Sequence, residues 1–273
     1  MALSRITAEH PLVLVGCGRM GGAMLAGWLA EGVPPGAVIV VDPQAPTVPQ
    51  GVAVVAEGGA LADDLAPRVV VFAVKPQMMA AVAPAYARFC ASETVFLSIA
   101  AGTTLAGFAS FLGAGAAVVR AMPNTPAAIG RGVSGVVANP AVSAGMRDLC
   151  ASLLGAVSTV LWLEHEDLLD AVTAVSGSGP AYVFALAECL AEAGVAVGLP
   201  EDLARQFARL TVEGAGELLA HSDQPAAALR QAVTSPGGTT QAALEVLLAE
   251  DGLAALMTRA VRAAAARARE LAG

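Results

Sequence analysis

A chain of 273 residues with a formal charge of −8 and only 4% aromatic residues does not suit a nucleic-acid groove, which needs cations and stacking surfaces. With 56% hydrophobic and 14% charged residues it can bury one large or two modest domain cores and a subunit interface besides. Four cysteines without a CxxC spacing (Cys17, Cys90, Cys150, Cys189) and three scattered histidines (His10, His165, His221) indicate neither a disulfide frame nor a metal site.

The chain starts Met1-Ala2-Leu3-Ser4-Arg5-Ile6-Thr7, without the apolar stretch of a signal peptide, and a reducing cytoplasm fits. Leu12 to Val15 is predicted as a buried strand, Gly22 to Ala30 as a helix, Val38 to Val41 as a second strand and Val69 to Val74 as a third. A helix is expected from about Gln77 to Phe89, then strands at Val95 to Ile99 and Val118 to Arg120. No charge occurs between Glu93 and Arg120, long enough to span a bilayer. Gly102-Thr103-Thr104 and Gly113-Ala114-Gly115 interrupt that run, so strand, short helix (Thr104 to Leu112) and strand is the better reading. Val133 to Val137, a helix from Ser143 to Leu154, and Thr159 to Leu163 extend the sheet. Apolar strands alternating with helices imply a mostly parallel sheet covered on both faces.

From Glu164 the strand-like runs largely stop. Helices are predicted over Asp167 to Val175, Pro180 to Val197, Asp202 to Ala220, Pro225 to Ala232, Thr240 to Ala249 and Leu253 to Leu271. Several are apolar around most of their circumference, and a helix of that kind must be buried on all sides. The expectation is therefore a mostly parallel α/β domain over 1–163, then an all-helical domain over 164–273 that needs a subunit interface to cover it.

Two segments read as anion cradles. Strand, Gly16-Cys17-Gly18-Arg19-Met20-Gly21, helix, strand and then Asp42 is the dinucleotide fingerprint in its proper context. Gly16 makes the tight turn, Gly18 lets the backbone approach a pyrophosphate, and Gly21 lets the helix pack on the strand. A glycine-rich turn with no ligand is the plainer alternative. Asp42 would accept hydrogen bonds from an adenosine ribose and repel a 2′-phosphate, or would merely cap the following turn. Arg19 is the one cation of the loop that could meet such a phosphate. On this physics NADH is taken at least as well as NADPH. The second cradle is Ser235-Pro236-Gly237-Gly238-Thr239-Thr240, where two glycines allow a turn onto a helix N-terminus. An anion site there suits a substrate carboxylate.

Lys75 is the only lysine, and the other basic residues are arginines. It stands in Ala73-Val74-Lys75-Pro76, at the carboxyl end of a parallel strand, where ligands of such folds bind. A solvated strand end is the alternative. No lysine follows Lys75, so a second-domain lysine cannot serve as general acid–base for a ketone or alcohol. A protonated imine carries its own proton and needs positioning more than acid catalysis.

These residues closely resemble the pyrroline-5-carboxylate reductase family over nearly the whole chain. The resemblance rests on the glycine loop and Ala73–Gln77, together with Ser98–Gly102, Arg120–Pro126, Asp170–Tyr182 and Ser235–Thr240. It implies a Rossmann domain binding NADPH or NADH, and a helical domain intertwined with that of a second subunit. Such dimers often assemble as five dimers, with helical segments of the partner completing the active site. It further implies that Gly238, Thr239 and Thr240 hold the substrate carboxylate through backbone N–H groups, with Thr240 Oγ near the ring nitrogen as the catalytic hydroxyl. Ala73, Val74, Lys75, Pro76 and Ala101 would lie along the cofactor, and Met122, Pro123 and Asn124 would line its nicotinamide region. Ser176 and Ser178 would shape the substrate pocket. Relatives often carry an asparagine where this chain reads Glu57-Gly58-Gly59, and a polar residue at Ala232; both departures bear on cofactor preference.

Plainer readings stand beside these. Thr240, Ser176 and Ser178 suit helix caps, Tyr182 suits packing, and Met78, Met79 and Trp162 suit a core or interface. A reductase of another small imine or keto acid, and a non-catalytic dinucleotide-binding regulator, are the alternative functions.

Overall fold

The computed structural model describes residues 2–90 and 93–272. In chain order it contains β1 (Leu12–Val15), α1 (Arg19–Ala30), β2 (Val38–Val41), β3 (Ala53–Val55), β4 (Val69–Phe72), α2 (Met79–Val82), β5 (Val95–Ser98), α3 (Leu105–Leu112), β6 (Ala117–Met122), β7 (Gly132–Ala138), α4 (Ala144–Gly155) and β8 (Ser158–Trp162). The later elements are α5 (Leu168–Val172), a π-helical turn (Thr173–Gly177), α6 (Gly179–Ala196), α7 (Glu201–Ala220), α8 (Ala226–Ala232), α9 (Thr239–Leu247) and α10 (Leu253–Ala272). They group into two compact units, residues 1–177 with 265–273, and residues 178–264. The expected division at 163/164 differs from this grouping, which places α5, the π turn and the end of α10 with the sheet.

The sheet of the first unit has eight strands in the order β3-β2-β1-β4-β5-β6-β7-β8. All neighbouring pairs are parallel except β6 with β7. Residues 123–131, which join those two strands, hold only a 3-10 turn (Thr125–Ile129). That is too short for a parallel crossover, so β7 returns antiparallel. Side chains alternate between the two faces of each strand. Leu12, Leu14, Val69, Val71, Val95 and Leu97 meet Met24 and Trp28 of α1 and Leu149 and Leu153 of α4 on one face. Val13, Val15, Val70, Phe72 and Phe96 meet Tyr86, Phe89 and Phe108 on the other. Trp28 Nε1 donates to the Leu153 carbonyl at 2.8 Å, so the large indole is buried without an orphan donor.

Three local outcomes depart from the expected elements. The helix predicted from Gln77 to Phe89 is instead a 3-10 turn, the single turn of α2, and a 3-10 stretch (Ala83–Phe89). Pro84 explains the break, because it lacks an N–H and crowds the carbonyl four residues back. The short edge strand β3 was not expected from the sequence. The predicted helix ending at Val175 passes into the π turn.

The second unit is helical, and Ala204 and Ala208 of α7 are among its few buried residues. α6 approaches closely at Gly194, where an added Cβ would lie 3.2 Å from Ala204 Cβ. Large apolar side chains stay on the surface, among them Phe184 at 65%, Leu210 at 61% and Val246 at 73% exposure. Among the described residues, no helix is long and apolar enough to cross a membrane.

Candidate functional site

β1 delivers the chain into the glycine loop at the carboxyl edge of the sheet. Gly16 has φ +88°, and a Cβ there would lie 2.8 Å from the Ala73 carbonyl oxygen. At Gly21 a Cβ would come within 2.4 Å of the Gly16 carbonyl oxygen. Both positions need glycine, one for conformation as well as space and the other for space alone. Gly18 faces open space and is the N-cap of α1. The N–H groups of Arg19, Met20 and Gly21 have no partner among the described residues, as expected of a first helical turn. Arg19 is exposed there.

A cleft of about 620 Å³ opens beside the loop. Gly16, Gly18, Asp42, Ala73, Val74 and Lys75 all line it, so the structure brings most of the first cradle's predicted residues together. Pro76 begins the 3-10 turn that follows Lys75. The Asp42 carboxylate is held at both oxygens: Oδ2 accepts from Cys17 N–H at 2.8 Å and Oδ1 from Gln44 N–H at 2.9 Å. The turn-capping reading of Asp42 therefore holds, and the same bonds fix the carboxylate at the cleft wall. Burial and the neighbouring Asp42 charge raise the Cys17 thiol above its ordinary range. Lys75 is exposed, with no ion pair among the described residues.

The departure at Glu57-Gly58-Gly59 has a steric counterpart. A Cβ at Gly58 would lie 3.0 Å from the Tyr86 hydroxyl, whose ring occupies that space. This hydroxyl is buried without a hydrogen-bond partner, and desolvation raises its pKa. Met78 lines the cleft, while Met79 is core.

At the end of β6 a second group forms. Ala101 and Met122 line a small cavity of about 40 Å³ with Arg120, Asp170 and Thr173. Arg120 is 7% exposed and donates to Glu166 Oε1 at 2.5 Å. That oxygen also accepts the Leu105 N–H at 2.6 Å, tying β6, the start of α3 and the approach to α5 together. Glu166 is the counter-ion of a buried guanidinium. Sequence reading passed over this role, although an arginine inside an apolar strand already calls for a partner. Pro123 and Asn124 follow β6. Asn124 Oδ1 accepts Val133 N–H at 2.9 Å and its Nδ2 donates to the Ser176 carbonyl at 3.3 Å. Ser176 Oγ is buried with no partner. Ser178 stands at the N-cap of α6 without a side-chain cap bond. Trp162 lies under the Arg147 guanidinium, 4.0 Å from centroid to carbon.

Gly238, Thr239 and Thr240 belong to the second unit and are described within it. Gly238 is the N-cap of α9, which begins at Thr239. Thr240 is thus not the cap, which removes the plainer reading of its hydroxyl. A Cβ on Gly238 would lie 2.3 Å from Ser235 Oγ. Gly238 N–H is taken by the Ser235 carbonyl at 3.0 Å, and Gly237 N–H by Gln241 Oε1 at 2.7 Å. The N–H groups of Thr239 and Thr240 have no partner among the described residues and point along a helix N-terminus.

Comparison with known proteins agrees in both halves of the chain. The family described as pyrroline-5-carboxylate reductase dimerisation matches residues 166–271, and the one described as NADP oxidoreductase, coenzyme F420-dependent, matches residues 11–102. A pyrroline-5-carboxylate reductase of Pseudomonas aeruginosa is 41% identical over 269 residues, 96% of each chain. The solved structure of a pyrroline-5-carboxylate reductase from Coxiella burnetii is similar with a TM-score of 0.86 and 34% identity, over 97% of this chain and 99% of that one. A Plasmodium falciparum pyrroline carboxylate reductase solved with NADP bound has a TM-score of 0.82 and 25% identity, over 98% of this chain and 100% of that one. With this identity sustained over nearly its full length, the chain belongs to the pyrroline-5-carboxylate reductase family.

Proposed function

We infer that the chain is an NAD(P)H-dependent oxidoreductase that reduces 1-pyrroline-5-carboxylate to L-proline, the final step of proline biosynthesis. The observation that carries this reading is a pair of glycine turns, each opening onto a helix whose first N–H groups are free. One at Gly16–Gly21 suits a pyrophosphate and the other at Gly238–Thr240 a carboxylate. The division of labour follows: residues 1–163 serve the dinucleotide, residues 164–273 the substrate and the subunit contact.

The first cradle fits a dinucleotide on its own geometry, since Gly18 leaves open the space beside the free N–H groups of Arg19, Met20 and Gly21. Those residues with Gly16 would hold the pyrophosphate, and Asp42 the adenosine ribose. Ala73, Val74, Lys75, Pro76 and Ala101 would flank the length of the molecule, with the backbone of Met122-Pro123-Asn124 at its nicotinamide end. Bound NAD(P)H supplies the hydride that reduces the imine carbon C5. The fixed Asp42 carboxylate and Glu57 both face the cleft, which supports use of NADH at least as readily as NADPH.

The protein's own residues then need only to bind and orient. Thr239 and Thr240 N–H groups hold the substrate carboxylate at the positive end of α9, and Gly238 sets the turn that aims them. Thr240 Oγ accepts a hydrogen bond from the protonated ring nitrogen and steadies its proton. Ser176 and Ser178 bound the pocket. The imine arrives protonated, so no lysine or histidine acid is required.

The chain works as a homo-oligomer, and its unburied helical surface supports that. We propose an intertwined dimer, five of which form a decamer, operating in the cytoplasm. The test is NADH and NADPH oxidation with pyrroline-5-carboxylate, measured side by side. Cofactor binding with no oxidation in the presence of this imine overturns the reading. Thr240→Ala should lower kcat by about tenfold or more, the loss of one hydrogen bond to a charged group; wild-type kcat and KM in that variant exclude the hydroxyl from the chemistry.

A further inference from the structure

The end of β6 and the π turn are joined by one side chain. Both ends of the Asn124 amide are engaged: Oδ1 takes the Val133 N–H, and Nδ2 gives a proton to the Ser176 carbonyl. The amide orientation is set by its partners, since an N–H needs an acceptor and a carbonyl needs a donor. Beside this link, Met122 closes on the same turn, and a Cβ at Gly177 would lie 2.7 Å from its terminal methyl carbon. The π turn is a wider coil than α-helix, of a kind that recurs at functional sites. Ser176 sits inside it with an enclosed, unpartnered hydroxyl.

We propose that the Asn124 side chain is a positioning residue: it braces the Ser176 carbonyl, and through it fixes the Ser176 hydroxyl for the imine substrate rather than touching the dinucleotide. The proposal rests on the reductase reading for its substrate, but the brace itself is a property of the free protein. Two partners define it, and they are separable. Asn124→Asp keeps an acceptor for Val133 and replaces the donor to Ser176 with a second oxygen. Asn124→Ser is too short for either bond and brings no charge, so it separates loss of the brace from repulsion.

The experiment combines hydrogen exchange with steady-state kinetics on the full chain. Exchange of the amides of residues 173–177 should quicken by about tenfold in both variants, the loss of one hydrogen bond, while exchange in β4 and β5 stays as in the wild type. In the assay, kcat/KM for pyrroline-5-carboxylate should fall by about tenfold, with the dinucleotide KM unchanged. Asn124→Asp should add little further loss in a Ser176→Ala background, because both changes act through one hydroxyl. Unchanged exchange across 173–177 overturns the brace. So does a raised dinucleotide KM with imine kinetics intact, which would make Asn124 a direct cofactor contact. Exchange is read without substrate, so a wild-type chain inactive on the imine would refute the reductase reading and leave the brace separately decided.

Discussion

In the sheet unit the rings of Phe72, Tyr86, Phe96 and Phe108 meet in one buried cluster, Phe72 lying 5.3 Å, 6.2 Å and 5.8 Å from the other three. In the helical unit Phe184 and Phe207 both face outward, with Leu210, Leu218 and Val246. The residue types are alike and the local helices are well formed, so propensity does not separate the two regions. What separates them is whether the covering layer lies within the same chain. The sheet has α1 and α4 on one face and the 3-10 stretch and α3 on the other. In the helical unit α6 meets α7 closely at small residues, Gly194 against Ala204, and its exposed apolar surface calls for a second copy.

That contrast can be broken from the helical side first. Phe207→Glu with Leu210→Glu should dissociate the oligomer and reduce activity by roughly a hundredfold or more, as burial of each large apolar side chain is worth about 2 kcal/mol. Sedimentation velocity checks the assembly, and near-ultraviolet dichroism should show the sheet unit's aromatic cluster intact. Full activity in a demonstrated monomer would refute the idea that this surface needs a partner.

On the sheet side a smaller change should act locally. Gly21→Ala places a carbon 2.4 Å from the Gly16 carbonyl oxygen, and overpacking of this kind costs about 1–3 kcal/mol. We expect dinucleotide Kd to rise about tenfold or more by fluorescence titration, while the oligomer persists. Glu166→Gln removes the charge opposite Arg120, whose guanidinium is nearly buried. Because Glu166 remains partly exposed, we expect a loss of about 1–2 kcal/mol, read as a melting temperature lowered by a few degrees.

The smallest effect concerns pH. Burial of Cys150 pushes its thiol up to about 12 from an ordinary value of 9.0. The folded state then keeps a proton that the unfolded chain releases, so stability is whole below pH 9 and declines as pH rises toward 12. Cys150→Ala should show a shallower decline over that window in chemical denaturation, despite a lower stability at neutral pH from the cavity.

How much of this was legible in the sequence depended on range. Leu12–Val15, Val69–Phe72 and Val95–Ser98 announced themselves as uninterrupted apolar runs, and the glycine loop with Asp42 announced the first cradle. Pro84 was visible, but a proline only lowers the odds of a helix, and the break into 3-10 turns around it is settled by packing on the sheet. β3 is three residues long, and without its pairing to β2 such a segment carries almost no periodicity. Arg120 and Glu166 are separated by 46 positions, so the pair exists only once β6 and α5 are folded together. Asn124 was singled out by resemblance alone; that both ends of its amide are occupied is a fact of geometry, which no spacing encodes. The division into units was likewise hidden, since the π turn reads as ordinary helix and α10 reads as one element although its last residues group with the sheet.

Lys75, exposed at the wall of the larger cleft, is also the chain's only lysine. Selective isotopic labelling of lysine would therefore give a nuclear magnetic resonance spectrum with one side-chain signal, sited where a dinucleotide is expected to lie. An amine-directed dye would likewise find a single side chain besides any free amino terminus. The residue thereby becomes a background-free probe of cleft occupancy, and its signal should shift on addition of NADH before any substrate is present.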